Sequence, residues 1–358
     1  MTSKLKVAIL FGGRSVEHQI SILSAKNVFQ YIDNNSFEVV LLGIDKQGKW
    51  YLMSEVTDNF SDGISASLLL DASAPAFINT QTNECVQVDI VFPVLHGTDG
   101  EDGSIQGMLK AMNIPFAGSG VLGSSVSMDK LVSKQLLEAA GIPVSKYVAY
   151  NIKERSSITF EKVVEKIGLP FMAKPVNLGS SVGVTKVNNK EQFKGALDAT
   201  FEYDTTILFE EYIKGRELEC AVLGNGDTKA SFPGEIVISD RYEFYTYEAK
   251  YEDETAVDLQ IPAKIDTSIA EKIKGLCVKS FKALHCEDFA RVDLFVTNNN
   301  GIYINEINTI PGFTNVSMFP SLWAQHGISY PELITQIIEL AVQRNIDLKN
   351  INRSFDVK

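Results

Sequence analysis

Residues Ala290–Gly312 read ARVDLFVTNNNGIYINEINTIPG. Two runs rich in β-branched and aromatic residues flank Asn298, Asn299, Asn300 and Gly301, which predicts a β-hairpin. A two-residue loop at Asn300-Gly301 sets Asp293 opposite Asn308. A loop at Asn299-Asn300 instead sets Asp293 opposite Glu306 and Arg291 opposite Asn308. In either register Arg291, Asp293, Glu306 and Asn308 share one face, because side chains alternate along a strand; a three-residue loop would break the pattern. Two carboxylates, an amide oxygen and a guanidinium are costly as a buried structural cluster. The same set suits Mg²⁺, a hard cation that takes oxygen ligands and shares them with nucleotide phosphates.

Working outward, the other segments divide the chain into three units. Val7–Phe11 reads as a buried strand, followed by a Gly-Gly turn, a helix over about Glu17–Tyr31, and strands at Phe37–Ile44 and Val88–Leu95. Strands alternating with helices predict a parallel α/β domain over residues 1–126, with its ligand edge at Gly12–Glu17 and His96–Gly103 beyond the strand ends. Asp45–Gln81 is polar and poor in pattern, and reads as an irregular insertion. Met128–Ala140 predicts an amphipathic helix closed by Gly141-Ile142-Pro143. Helices over Phe160–Ile167 and Lys190–Phe201, with strands near Pro170–Pro175, Gly183–Val187, Phe209 and Cys220, read as a small α+β unit over 127–217. The third unit, 218–358, carries the hairpin, a long polar-aromatic segment Asp240–Asp258, and a helix over Tyr330–Arg344. A segment as long as Asp240–Asp258 inside a compact domain reads as a lid, with Lys250 and Tyr251 near its middle.

A length of 358 residues accommodates these units with real cores. The net charge of −12 argues against nucleic acid or an anionic membrane as the main partner. Four scattered cysteines, Cys85, Cys220, Cys277 and Cys286, lack metal-ligand spacing and read as reduced packing residues. The N-terminal apolar run stops at Gly12-Gly13, too short for a signal-peptide core or a membrane span, so a cytoplasmic location is expected.

Several motifs carry chemistry. Lys174 ends an apolar strand and leads into Val176-Asn177-Leu178-Gly179-Ser180-Ser181-Val182-Gly183, where backbone N–H groups can cover phosphate oxygens beside a lysine charge. Glu210, Glu211 and Glu217 offer acceptors for an adenine amino group and ribose hydroxyls. His96, at a strand end, can donate to an anion, and Glu17, near a helix N-terminus, can grip an ammonium. Gly118-Ser119-Gly120-Val121-Leu122-Gly123 matches G-x-G-x-x-G. The acidic residue about 20 positions on, Glu138, falls inside a helical run rather than at a strand end, so a tight inter-domain turn explains the motif better than a dinucleotide site.

Taken together, G-G-R-S-V-E-H at Gly12–His18, H-G-x-x-G-E-D-G-S-I-Q-G at His96–Gly107, M-D-K at Met128–Lys130, K-P at Lys174, G-S-S-V-G at Gly179, Y-E-A-K-Y at Tyr247–Tyr251 and R-V-D…E-I-N-T-I-P-G-F-T resemble the D-alanine:D-alanine ligase family of the ATP-grasp superfamily. The resemblance runs from Phe11 to about Pro320. It implies an N-terminal α/β domain followed by a two-subdomain ATP-grasp fold, and ligation of two D-alanines through an acyl phosphate for peptidoglycan precursor synthesis. By resemblance, Lys130, Lys174, Ser180 and Ser181 would contact ATP phosphates, Lys250 would reach the γ-phosphate, and Glu210, Glu211 and Glu217 would hold adenine and ribose. Asp293, Glu306 and Asn308 would bind two Mg²⁺ ions, for which Mn²⁺ can substitute. Glu17 and His96 would face the first D-alanine, while Arg291 and the Gly312 N–H would stabilise oxyanions. Ser317 would hold the second carboxylate, and Tyr251, Ser180 and Glu17 would form a lid-closing network. A homodimer is likewise implied. A glutathione-synthetase-like ligase would keep the Lys174 and Asp293–Asn308 features but lack the two N-terminal motifs. A non-catalytic nucleotide binder would be expected to have lost a metal ligand.

Overall fold

The computed structural model describes residues 4–239, 241–242 and 255–352. Three sheets organise them. The first is seven-stranded, in the order β6-β5-β4-β3-β2-β1-β7. Its strands are β1 (Leu5–Gly12), β2 (Phe37–Ile44), β3 (Trp50–Met53), β4 (Ile64–Leu68), β5 (Phe77–Asn79), β6 (Cys85–Val86) and β7 (Ile90–Pro93). β1 pairs in parallel with β2 and β7, which is the α/β core expected from sequence. It is crossed over by α1 (His18–Tyr31).

The expectation of an irregular insertion at 45–81 is corrected: β2 to β6 form an antiparallel meander that extends the sheet. β3, β5 and β6 are too short to show a pattern, and β4, Ile-Ser-Ala-Ser-Leu, does alternate apolar and polar residues, a signal the sequence reading passed over.

The helix expected from Met128 to Ala140 is found from Lys130 to Ala139. α2 (Ser104–Ala111) is followed by α3 (Val121–Met128) and α4 (Lys130–Ala139). Asp129 breaks the run. Its backbone is extended and its side chain accepts from the Val132 N–H, so it caps α4.

The second sheet, β10-β9-β11-β8, is antiparallel. It consists of β8 (Tyr147–Asn151), β9 (Phe171–Pro175), β10 (Thr185–Val187) and β11 (Thr206–Glu211), with α5 (Phe160–Ile167) and α6 (Lys190–Phe201). Register sets Leu208 opposite Lys174 and Glu210 opposite Met172. Alternation therefore divides the sheet: Phe171, Ala173, Ile207 and Phe209 join the core under α5 and α6, while Lys174 and Glu210 share the opposite face.

The third sheet runs β15-β14-β12-β16-β17, with β13 (Lys229–Ala230) also paired to β12. Its members are β12 (Gly215–Leu223), β14 (Gly234–Ile238), β15 (Val257–Gln260), β16 (Phe289–Thr297) and β17 (Ile302–Asn308). β12 begins three residues ahead of the division expected at 218. α7 (Thr267–Ala283) covers one face, and α8 (Met318–Gln325) and α9 (Tyr330–Lys349) complete the fold.

The G-x-G-x-x-G turn has a specific explanation. The N–H of Gly118 donates to Asp288 at 2.8 Å and that of Gly120 to Glu287 at 3.0 Å. The anion-binding turn is thus filled by the chain's own carboxylates. Arg344 of α9 pairs with Glu287 at 2.7 Å and Asp288 at 3.0 Å and donates to the Phe116 carbonyl. Burial pushes Asp288 up to about 6 against the opposing pull of Arg344. Arg344→Met should leave a buried carboxylate uncompensated and lower unfolding free energy by about 3–5 kcal/mol. A urea midpoint lowered at unchanged slope would show this; an unmoved midpoint would refute it.

Candidate active site

The hairpin closes differently from either sequence alternative. Asn300 N–H donates to the Thr297 carbonyl and Thr297 N–H to the Gly301 carbonyl, both at 2.9 Å. Asn300 is left-handed at φ 62. The loop therefore has three residues, Asn298–Asn300, a turn in which Asn tolerates positive φ. Near the loop Leu294 pairs with Ile304, yet Asp293 pairs with Glu306 and Arg291 with Asn308. One extra residue, Asn305, is accommodated as a bulge, and it restores the shared face that a three-residue loop would have broken.

On that face the groups are tightly arranged. Arg291 donates in a fork to Asp293, Nε to Oδ1 and Nη2 to Oδ2, each at 2.7 Å. Its Nε also lies 3.0 Å from Glu219, which β12 sets opposite Asp293. Asn308 Nδ2 donates to Asp293 Oδ2 at 3.0 Å, which orients the amide oxygen away from the carboxylate. Lys130 approaches Glu306 at 3.4 Å and donates to the Leu178 carbonyl at 2.8 Å. Glu217 lies two residues before Glu219, on the same face of β12.

The second sheet meets this face across a cleft. Lys174 donates to Glu210 at 2.9 Å and to Asn305 at 3.3 Å. Glu210 is almost fully buried, and burial alone would raise its pKa. The adjacent Lys134 and Lys174 outweigh that effect and hold it down to about 2. Glu211, on the other face of the strand, pairs at 3.7 Å with Lys146. In the loop after β9, Ser180 and Ser181 both have left-handed backbones, φ 54 and 58. Two successive non-glycine residues there cost about 1–3 kcal/mol each, strain that is typical of functional loops.

The first domain supplies the third wall. Ser180 Oγ donates to Glu17 Oε1 in a short hydrogen bond. Gly97 has a left-handed backbone at φ +73, which favours glycine, and a Cβ there would displace the Glu17 and Ser15 side chains, 2.4 and 2.5 Å away. His96 is buried, with Nδ1 2.8 Å from the Ile310 carbonyl and Nε2 3.1 Å from Ser24 Oγ, which accepts from the Phe313 N–H. The carbonyl partner requires a proton on Nδ1, and burial lowers the ring's pKa. His96 therefore anchors the Ile310–Phe313 loop. Gly312 lies in that loop beside Ser317, whose Oγ would be 2.9 Å from an added Cβ. Ser317 Oγ accepts from the Thr314 N–H at 2.9 Å. Lys250 and Tyr251 lie outside the described residues.

Sequence reasoning passed over Glu101, Lys134, Ser145 and Glu219. Glu101 stands in a quoted motif, yet only its contacts reveal its role: half-buried, it accepts from Gly97 N–H at 2.7 Å and Ile310 N–H at 3.1 Å, tying two loops together. Burial, then the Glu17 charge, pushes its carboxyl from 4.5 up to about 8. Between those values the native state holds a proton that the unfolded chain lacks, so this group's contribution to stability falls as pH rises through the window, by about 1.4 kcal/mol per unit at most. The stability difference between parent and Glu101→Gln should therefore move against the parent from pH 5 to pH 8 in urea melts. A difference constant with pH would contradict the shift.

Asp293, Glu306 and Asn308 present oxygen donors only. Among the described residues no group of three or more His, Cys, Asp or Glu side chains has metal-site geometry. Two carboxylates and an amide nevertheless fit Mg²⁺, which completes its shell with water and substrate phosphates.

Comparison with known proteins is consistent across its forms. The D-ala D-ala ligase N-terminus model matches residues 6–119 and the D-ala D-ala ligase C-terminus model residues 136–339. The D-alanine–D-alanine ligase of Oceanobacillus iheyensis is 50% identical over 354 residues, covering 96% of each chain. D-alanine–D-alanine ligase A of Escherichia coli K12 is 46% identical, covering 96% of this chain and 97% of the relative. Among solved structures, the D-alanine-D-alanine ligase from Coxiella burnetii aligns with a TM-score of 0.86 at 36% identity, covering 97% of this chain and 96% of the other. The VanG D-Ala:D-Ser ligase from Enterococcus faecalis aligns at 0.87 and 34%, covering 95% and 100%.

Proposed function

The chain belongs to the D-alanine–D-alanine ligase family, and from that premise we propose that it joins two D-alanines into D-alanyl-D-alanine, converting ATP to ADP and phosphate, for peptidoglycan precursor synthesis. The observation that carries this reading is one cleft in which Glu17, Lys130, Ser180, Glu306 and Asn308 converge from all three sheets. Lys130 and Lys174 supply charge for nucleotide phosphates, and the strained Ser180-Ser181 turn supplies backbone donors. Glu210 and Glu217 serve the adenine and ribose, whereas the Glu211 side chain, turned to Lys146 on the other face of its strand, takes no part. Asp293, Glu306 and Asn308 would hold two Mg²⁺ ions, with Mn²⁺ able to substitute; bound there, the ions neutralise charge building up on the transferred phosphoryl group.

Glu17 accepts the ammonium of the first D-alanine, whose carboxylate attacks the γ-phosphorus to give an acyl phosphate. The amine of the second D-alanine, its carboxylate near Ser317, then attacks the acyl carbon. Arg291 and the Gly312 N–H meet the oxyanion, and His96 acts by holding the loop that bears Gly312. The roles expected of Lys250 and Tyr251 from sequence belong to the same proposal, at positions outside the described residues. Among the described residues no helix is long and apolar enough to cross a membrane. A cytoplasmic location and a homodimer belong to the proposal through the family alone.

Phosphate release should require D-alanine, ATP and Mg²⁺ together, with the dipeptide as the product by mass. Release only with D-serine or D-lactate added would move the specificity, and none with any of them would overturn the reading.

A further inference from the structure

Lys134 is one of the largest fully buried side chains in the described molecule, a lysine with 1% of its side chain exposed. It lies one turn beyond Lys130 on α4, on the helix's inner side. Its Nζ is 3.0 Å from Ser145 Oγ and 3.3 Å from Glu210 Oε1. Glu210 Oε2 faces Lys174 at 2.9 Å and Ser145 at 3.4 Å. One buried carboxylate thus stands between two ammonium groups that differ in exposure. Lys134 is enclosed, whereas Lys174, 12% exposed, borders the cleft and also reaches Asn305.

We propose that Lys134 is a positioning residue for base selection: it keeps Glu210 an anchored anion when Lys174 turns to the phosphates, so that Oε2 accepts an amino group and rejects a carbonyl oxygen. This rests on the reading above, in which Lys174 serves phosphate and Glu210 the base. With Lys174 redirected and no second cation, a buried carboxylate would take up a proton. A neutral carboxyl can both donate and accept, and would tolerate a 6-amino or a 6-oxo purine. An ionised carboxylate accepts only. It pairs with the adenine amino group and meets the 6-oxo group of inosine or guanine lone pair to lone pair, which is discrimination by an unpaired polar group. Ser145 completes the arrangement by bridging ammonium and carboxylate.

The test compares kcat/KM for ATP and for ITP in the full chain, for the parent, Lys134→Met and Glu210→Gln. The ATP/ITP ratio should fall about tenfold or more in Lys134→Met, with the loss in the KM for ATP rather than in the KM for D-alanine. Lys134→Met should add little in the Glu210→Gln background, because both act on one contact. If Lys134→Met does not yield folded protein, Ser145→Ala carries the test with a smaller change in the same direction. A parental ratio in Lys134→Met, or in Ser145→Ala where that variant stands in, alongside a lost ratio in Glu210→Gln, would overturn the role of Lys134 and leave the site intact. A parental ratio in Glu210→Gln would overturn the site reading as well.

Discussion

Glu306→Gln should lower D-alanine-dependent turnover by about 10³-fold while leaving a folded protein. The substitution keeps the shape of the side chain and its place opposite Asp293. It removes one of the two carboxylates that would hold Mg²⁺, and the counter-charge that Lys130 meets at 3.4 Å. A metal that neutralises a transferring phosphoryl group contributes several kcal/mol to the transition state, and about 1.4 kcal/mol is tenfold in rate. The loss should appear in kcat with ATP and D-alanine saturating, and raising Mg²⁺ should recover only part of it. Phosphate release within about tenfold of the parent would place the essential charge elsewhere.

Arg291→Met should produce two separable losses. The first is catalytic: removal of a preorganised oxyanion donor costs about 10²–10³ in rate. The second is in stability. Arg291 lies between Glu219, at 3.0 Å, and Asp293, at 2.7 Å, whose side chains are 5% and 9% exposed. Without the guanidinium these carboxylates oppose one another across β12 and β16, and breaking a buried ion pair from one side costs about 3–5 kcal/mol. Adding Glu219→Gln to Arg291→Met relieves the repulsion, so it should recover part of the denaturation midpoint and none of the rate. Recovery of both would mean that Arg291 acts only through the fold. Recovery of neither would mean that Glu219 is not the strained partner.

The shared face of Arg291, Asp293, Glu306 and Asn308 was legible because alternation along a strand is a local rule. Its register stood between two alternatives, of which Asp293 opposite Glu306 and Arg291 opposite Asn308 is the one found; the three-residue loop and compensating bulge at Asn305 leave no separate mark in an asparagine-rich turn. The parallel strands β1, β2 and β7 were visible as apolar runs, whereas β3 to β6, only two to five residues long, were not. Glu17 and Lys174 announced themselves through the glycine-rich turns beside them. Lys134 and Glu219 did not, because a lysine on an amphipathic helix and a glutamate in a strand are ordinary surface residues until tertiary packing buries them. The turn at Gly118–Gly123 shows the reverse: a strong local pattern whose ligand proved to be Asp288 and Glu287, far along the chain.

The central claim is that a D-alanine carboxylate is activated by phosphoryl transfer within this cleft. Its most direct test is turnover of D-alanine carrying ¹⁸O in its carboxylate, with mass analysis of the released phosphate. Attack of the carboxylate on the γ-phosphorus, then expulsion of phosphate by the incoming amine, delivers one labelled oxygen from the amino acid to each phosphate. One ¹⁸O per phosphate, formed in step with dipeptide, is the expected result. Phosphate that remains unlabelled while dipeptide accumulates would contradict the account.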